Sequence, residues 1–268
     1  MLYYKTYEEH SNADWVVFIH GAGGSSSIWY KQLKAFKKHF NLLLIDLRGH
    51  GQSKNVGNGN EKYTYQLIGS DIIEVLDHLS IKKAHFLGIS LGSIIINSIC
   101  IHAPERILSM TQGGAIPSFN KKGKLLILLG NLTKYFLPYM FLYRLFAFVL
   151  MPKNNHKRSR KVFTSLAKKV GKKEFIRWFR TTSEVETLHE QALKQKVAIP
   201  KLYIMGREDH MFLAPVLKSV ATEKHASIEI IEQSGHVCNI EKAKKFNEIA
   251  IKFIESHSVS EKKMASNM

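Results

Sequence analysis

Short apolar runs recur along this chain, and helical patterns fill most of the gaps between them. The runs fall at residues 15–20, 42–46, 84–88, 108–112, 201–205 and 227–232, and the helical patterns at 29–38, 64–79, 91–102, 214–222 and 241–257. Val16 to Ile19 and Leu42 to Ile45 are apolar at every position rather than at alternate ones. A strand hidden on both faces reads this way, whereas a strand with one wet face alternates. Strands and helices taking turns predict an α/β fold, with a mainly parallel sheet and helices on both faces. No internal repeat interrupts that rhythm.

One long segment does interrupt it. The chain of 268 residues carries 39 Lys and Arg against 22 Asp and Glu, a net charge of +17. Residues 117–180 hold sixteen of those bases and a single acid, Glu174, so they account for +15 while the remainder is nearly neutral. The same segment contains the most apolar stretch, residues 124–151. Asn131, Lys134, Pro138 and Arg144 break it up, so it makes a poor transmembrane span. It reads better as two helices separated near residues 130–133, with Pro138 opening or kinking the second. Both core packing and a lipid- or substrate-facing role fit that stretch. A further basic, solvent-exposed helix is expected over residues 157–180, broken at Gly171. The expected organisation is a core in two parts, residues 1–116 and 196–257, a helical basic cap at 117–195, and a flexible tail at 258–268.

The composition excludes several classes. At 45% hydrophobic residues the chain is not disordered, and its length supports a sizeable buried core. Two cysteines make no disulfide framework, and no Cys/His spacing suits zinc, so no metal or cofactor is expected. Residues 1–10 contain no apolar stretch of the kind a signal peptide needs. A reducing, cytoplasmic address is the expectation, with peripheral membrane contact left open.

Gly88-Ile89-Ser90-Leu91-Gly92 is a G-x-S-x-G sequence lying between an apolar strand and a helix. A serine on so sharp a turn is strained and crowded, and flanking glycines remove the side chains that would clash. The turn lifts the hydroxyl above the sheet edge at a helix N-terminus. Three other segments also follow strands: His20-Gly21-Ala22-Gly23-Gly24, Gly206-Arg207-Glu208-Asp209 and Ser234-Gly235-His236. Sites in open α/β sheets form at the carboxyl ends of strands, so Ser90, Asp209 and His236 are expected to share one.

With HGAGG (20–24), DLRGHGQS (46–53), GISLG (88–92), GRED (206–209) and SGH (234–236) in that order, the chain resembles serine hydrolases of the α/β-hydrolase superfamily, carboxylesterase or lipase type. The resemblance implies an eight-stranded-type sheet with an inserted helical cap. It implies Ser90 as nucleophile, His236 as base, Asp209 as the acid orienting the histidine, and the backbone N–H groups of Ala22 and Leu91 as an oxyanion hole. Asp209 is preferred to its neighbour Glu208 by the G-x-x-D spacing. Asp46, Arg48, His50 and His20 become structural loop residues, and Cys238 a packing residue. His210 could lie at the mouth of the site or on the surface. Serine at the nucleophile position argues against the branches that use aspartate, and Val237 weakens a carbon–carbon hydrolase reading. Ser93 stands where many small esterases of the family have a second glycine.

The implied activity is hydrolysis of a small-molecule acyl ester in an apolar pocket under the basic cap. A thioesterase or carbon–carbon hydrolase with the same triad is the alternative. The cap's charge suits anionic membrane lipid, an anionic substrate, or simple solvation of a mobile lid. No nucleic acid is expected, because the basic segment carries no nucleic-acid motif and the triad segments would be left unexplained. A catalytically silent ligand binder of the same fold is the remaining option.

Overall fold

The computed structural model describes residues 1–57, 61–195 and 197–258. The tail expected at 258–268 therefore lies, from residue 259 onward, outside the described residues. Seven strands form one sheet in the order β1-β3-β2-β4-β5-β6-β7. They are β1 (Tyr4–Tyr7), β2 (Trp15–Ile19), β3 (Asn41–Ile45), β4 (Ala84–Ile89), β5 (Ile107–Gly113), β6 (Lys201–Gly206) and β7 (Ala226–Ile231). Every neighbouring pair is parallel except β1 with β3. The α/β-hydrolase architecture is present with seven strands among the described residues instead of eight. The antiparallel strand β1 itself forms one edge.

Adjacent residues of each apolar run feed opposite layers. Val17 and Ile19 of β2 pack with Leu43, Ile45 and Phe86, whereas Val16 and Phe18 pack with Leu42, Leu44 and Leu87. The first layer is closed by α2 (Tyr65–His78) and α3 (Leu91–His102), and the second by α1 (Tyr30–Phe36) and the C-terminal α11 (Ala243–Glu255). Thr64 caps α2 by accepting a hydrogen bond from the Leu67 N–H at 3.1 Å. The last helical pattern, expected over 241–257, is realised as α11, and a short α10 (Cys238–Glu241) precedes it. Glu241 turns back to accept a hydrogen bond from the Gly235 N–H, which ends the first helix.

Between β5 and β6 stand five helices: α4 (Lys121–Thr133), α5 (Tyr139–Leu150), α6 (Lys157–Ala167), α7 (Lys172–Arg180) and α8 (Val185–Leu193). The last helix between strands, α9 (Leu213–Val220), follows β6. Asn120 caps α4 through the Gly123 N–H at 2.9 Å, and Pro138 sits at the start of α5, where its missing N–H costs nothing. The expected break between α6 and α7 falls at Gly171, which adopts φ 86°. The stretch 157–180 is not simply an exposed basic surface, however. Phe175, Trp178 and Phe179 of α7 are buried, because they recur at helical spacing on the face opposite the lysines. Phe175 and Phe179 join Leu142, Tyr143 and Ala167 in a small core of their own.

Two polar seams tie these helices to the sheet region and a third ties α8 to the start of α4. Glu174, the one acid of residues 117–180, accepts a 2.6 Å hydrogen bond from the Tyr63 hydroxyl, and Trp178 Nε1 donates to the Arg48 carbonyl at 3.1 Å. Glu208 receives Lys153 at 2.8 Å, Asn155 at 2.8 Å and the fully buried His156 at 2.9 Å. Glu186 of α8 accepts hydrogen bonds from the Phe119 N–H and Lys124 at the start of α4.

Candidate active site

β2 and β4 are neighbours, but the chain leaves β2 toward β3 on one side and returns to β4 on the other. A crevice opens outside their carboxyl ends at such a switch point. Ser90 sits there, immediately after β4, with φ 55° and ψ −115°. That left-handed conformation is costly for any residue with a side chain and persists only when its surroundings fix it. The surroundings do so: the Ser90 N–H donates to the Gly113 carbonyl at 2.9 Å. A Cβ on Gly88 would lie 2.7 Å from the backbone of Gly92, and one on Gly92 would lie 2.3 Å from the Ile19 carbonyl oxygen. The elbow closes only because both are glycine. Ser93, the departure noted in the sequence, locks the same turn. Its hydroxyl donates to the Ser90 carbonyl at 2.7 Å and accepts from the Ile116 N–H at 3.2 Å.

The three residues expected to meet do meet. Ser90 Oγ lies 2.9 Å from His236 Nε2, and His236 Nδ1 lies 2.8 Å from Asp209 Oδ2. Asp209 is fully buried, and its other oxygen accepts from the Phe212 N–H at 3.1 Å. Hydrogen bonds on both carboxyl oxygens fix its orientation toward the His236 ring. The Phe212 ring also packs 5.2 Å from the His236 ring, a support that nothing in the motifs signals. Glu208 faces away, into the seam with His156. Hydrogen bonds from Asn155, Lys153 and His156 hold its carboxyl down at about 2. His210 is exposed, and Cys238 is buried with its thiol donating to the Ile204 carbonyl at 3.4 Å.

The remaining loop residues brace the loops that follow β2 and β3. Asp46 accepts from the backbone N–H groups of Ser26 and Gln52, at 2.7 and 2.8 Å. Arg48 makes a bidentate pair with Asp71 at 2.6 and 2.7 Å. His20 Nε2 accepts from the Leu47 N–H and its Nδ1 lies 2.8 Å from the Gly21 carbonyl, which fixes a neutral tautomer. His50 repeats the arrangement, accepting from the Gly23 N–H at 3.0 Å with Nδ1 against the Arg48 carbonyl. Burial pushes His20 down to about 4 and His50 to about 3, so both stay neutral. Together they hold the loop that presents Ala22.

Ala22, Ser90 and Leu91 line a cavity of about 170 Å³ whose far walls come from the inserted helices, including Leu126, Phe146 and Phe179. No acidic, basic or histidine side chain lines it. Among its hydroxyls, Thr181 donates to the Tyr65 hydroxyl at 3.0 Å and Thr182 to the Phe179 carbonyl at 2.8 Å. Leu91 begins α3, so its N–H has no acceptor within the helix. A second space of about 40 Å³ lies on the other side of Ser90, against His236 and Val237. Among the described residues no group of three or more His, Cys, Asp or Glu is placed to hold a metal ion. Such an arrangement can deprotonate a hydroxyl, hold an apolar group beside it, and place N–H donors near a developing negative oxygen.

A strand–elbow–helix serine linked to histidine and aspartate at a sheet switch point defines the architecture of α/β hydrolases. The family profile described as the alpha/beta hydrolase fold matches residues 14–140. 3-Oxoadipate enol-lactonase 2 of Acinetobacter baylyi is 27% identical over 250 residues, covering 87% of this chain and 85% of that protein. Enol-lactonase 1 of the same organism is 37% identical over 100 residues, which is 37% of this chain and 36% of that protein. The crystal structure of the enol-lactonase from Burkholderia xenovorans LB400 superposes with a TM-score of 0.82 at 22% identity, covering 95% and 96% of the two chains. The chain has the α/β-hydrolase fold, and the proteins it is similar to over most of its length are named as hydrolases.

Proposed function

We propose that this protein hydrolyses uncharged carboxylic esters through an acyl-enzyme on Ser90, with helices α4–α8 acting as a cap over the acyl group. The observation that carries the reading is the Ser90–His236–Asp209 relay opening into a cavity without a charged wall. His236 Nε2 takes the Ser90 proton as Oγ attacks the ester carbon, while Asp209 holds the imidazole in the tautomer that accepts it. The negative oxygen that forms is met by the N–H groups of Ala22 and Leu91. His236 then gives the proton to the leaving alcohol, and water repeats the sequence to release the acid.

The two spaces beside Ser90 divide the substrate. A leaving alcohol must reach His236, which lines only the smaller one, so the acyl chain takes the larger. A cavity of about 150 Å³ holds one benzene ring, and 170 Å³ therefore suits an acyl chain of about six carbons. A free carboxylate on the acyl part would find no cation in these walls, so the lactone substrates in the relatives' names are not carried over to this chain. Ethyl esters from acetate to dodecanoate, followed by pH-stat titration, test the reading. Turnover should peak between butyrate and octanoate and fall about a thousandfold or more in Ser90→Ala. Undiminished turnover in that variant, or a thioester or diketone cleaved in preference to every ester, would overturn it.

A further inference from the structure

Helices α4 and α5 are apolar on two opposite faces. On α4, Gly123, Leu126 and Ile127 face the cavity, and Gly130 packs against Phe179 and Phe146. Leu125, Leu128, Leu129 and Leu132 follow the same i, i+3, i+4, i+7 spacing on the other side and are each 48% to 63% exposed. Phe136, in the turn between the helices, is 87% exposed, and Phe141, Leu145 and Phe148 continue the pattern along α5. A helix at the surface of a water-soluble protein keeps one apolar stripe, facing inward. A second stripe on two consecutive helices marks a contact surface.

Charge identifies the partner. Among the described residues, carboxylates meet only Lys124, Lys153 and Arg177 of the sixteen bases in residues 117–180. Several of the others ring the apolar patch. Lys121 and Lys122 open α4, and Arg144 stands beside Leu145; Lys172 Nζ reaches the Tyr135 carbonyl and Arg180 the Tyr135 hydroxyl in the α4–α5 turn. A second copy of this chain would bring two such positive fields together, at a cost in repulsion. An apolar stripe within a ring of unneutralised bases is instead complementary to an anionic lipid surface. The helices cannot span a bilayer: α4 has 13 residues, about 20 Å, against a hydrocarbon core of about 30 Å. No described helix is long and apolar enough to cross.

We propose that the outer face of the α4–α5 hairpin docks in the plane of an anionic phospholipid surface, with Phe136 and the α4 leucines entering the headgroup boundary. Lipid then lies on one side of these two helices and the acyl cavity on the other, so that amphiphilic esters concentrated in the bilayer are presented to the enzyme. This consequence deepens the ester-hydrolase reading, but the docking itself is measured without turnover.

The test is co-sedimentation of the full chain with phosphatidylcholine vesicles and with vesicles of phosphatidylcholine and phosphatidylglycerol at 7:3. The expected result is at least tenfold stronger binding to the anionic vesicles, weakening as salt rises from about 0.1 to 0.5 M. Leu132→Glu/Phe136→Glu should lose at least tenfold of that binding while hydrolysing ethyl butyrate within twofold of wild type, since neither residue lines the cavity. Leu132→Ser/Phe136→Ser serves the same purpose if the first pair folds poorly. Ser90→Ala should bind vesicles like wild type, which separates failure of docking from failure of the proposed chemistry. Equal binding to both kinds of vesicle, or unchanged binding by both double variants, would overturn the proposal. So would a concentration-dependent dimer that those variants dissociate, because it would assign the face to a second copy of the chain.

Discussion

The sheet and the inserted helices meet the same requirement, a closed apolar interior, by different means. In the sheet region four polar side chains that brace the loops around the site are held by fixed partners. Arg48 is clamped by Asp71, Asp46 by two backbone N–H groups, and His20 and His50 are locked as neutral acceptors. The inserted helices have a small core of five buried residues and carry nearly all the excess charge on their outside. A preorganised site needs the first kind of construction, because donors and acceptors must be in place before substrate arrives. A roof over an apolar chain needs only shape and a dry inner face.

The largest expected effect contrasts two adjacent acids after β6, one facing His236 and the other facing the inserted helices. Asp209→Asn should lower kcat about a thousandfold to ten-thousandfold, because the amide favours the wrong histidine tautomer. Glu208→Gln should leave kcat within a few-fold and instead raise KM, as the His156 seam between sheet and insert loosens. Steady-state kinetics on ethyl hexanoate separate the two, and equal losses of kcat would erase the distinction.

Acid should weaken the sheet region next. Burial holds His20 down at about 4 and His50 at about 3, below the ordinary 6.5 that the unfolded chain would have. The unfolded state therefore binds more protons, and the stability these residues provide is complete above about pH 6.5 and lost as pH falls toward 4. Each accounts for up to about 2 kcal/mol by pH 5. Urea midpoints measured at pH 7.5, 6 and 5 should fall steadily, and a flat profile would mean that these histidines are not held neutral.

The smallest contrast concerns two glycines. Gly88→Ala drives a methyl into the Gly92 backbone and should cost about 3 kcal/mol. Gly171→Ala meets no atom within 4 Å and pays only for its left-handed φ, about 1–2 kcal/mol. Thermal unfolding of both variants measures the gap, and a reversed order would contradict the packing of the elbow.

What the sequence disclosed follows the same division. Buried parallel strands such as Val16 to Ile19 announce themselves as unbroken apolar runs, and the serine elbow as glycines at fixed spacing. The edge strand Tyr4–Tyr7 reads Tyr-Lys-Thr-Tyr, with its middle residues exposed, and carries no such signal. In α7 the count of bases hid the burial of Phe175, Trp178 and Phe179, although their spacing was visible in the sequence. In α4, leucines occupy all sides, so no periodicity could say which of them face the cavity and which face outward. Phe212 supports His236 from a segment without a motif, and only the folded chain brings them together.

One consequence follows from the place of Glu174. In a stretch with a single acid, that acid is not on the surface; it fastens α7 to Tyr63 beneath the roof. With Trp178 and His156 it forms a small set of attachment points, in which Lys153 and Arg177 also take part by pairing with Glu208 and Glu174. The bases that take no part in those contacts can change sign without loosening them, and on the docking proposed above the surface the protein meets would then change while the Ser90 site stays the same.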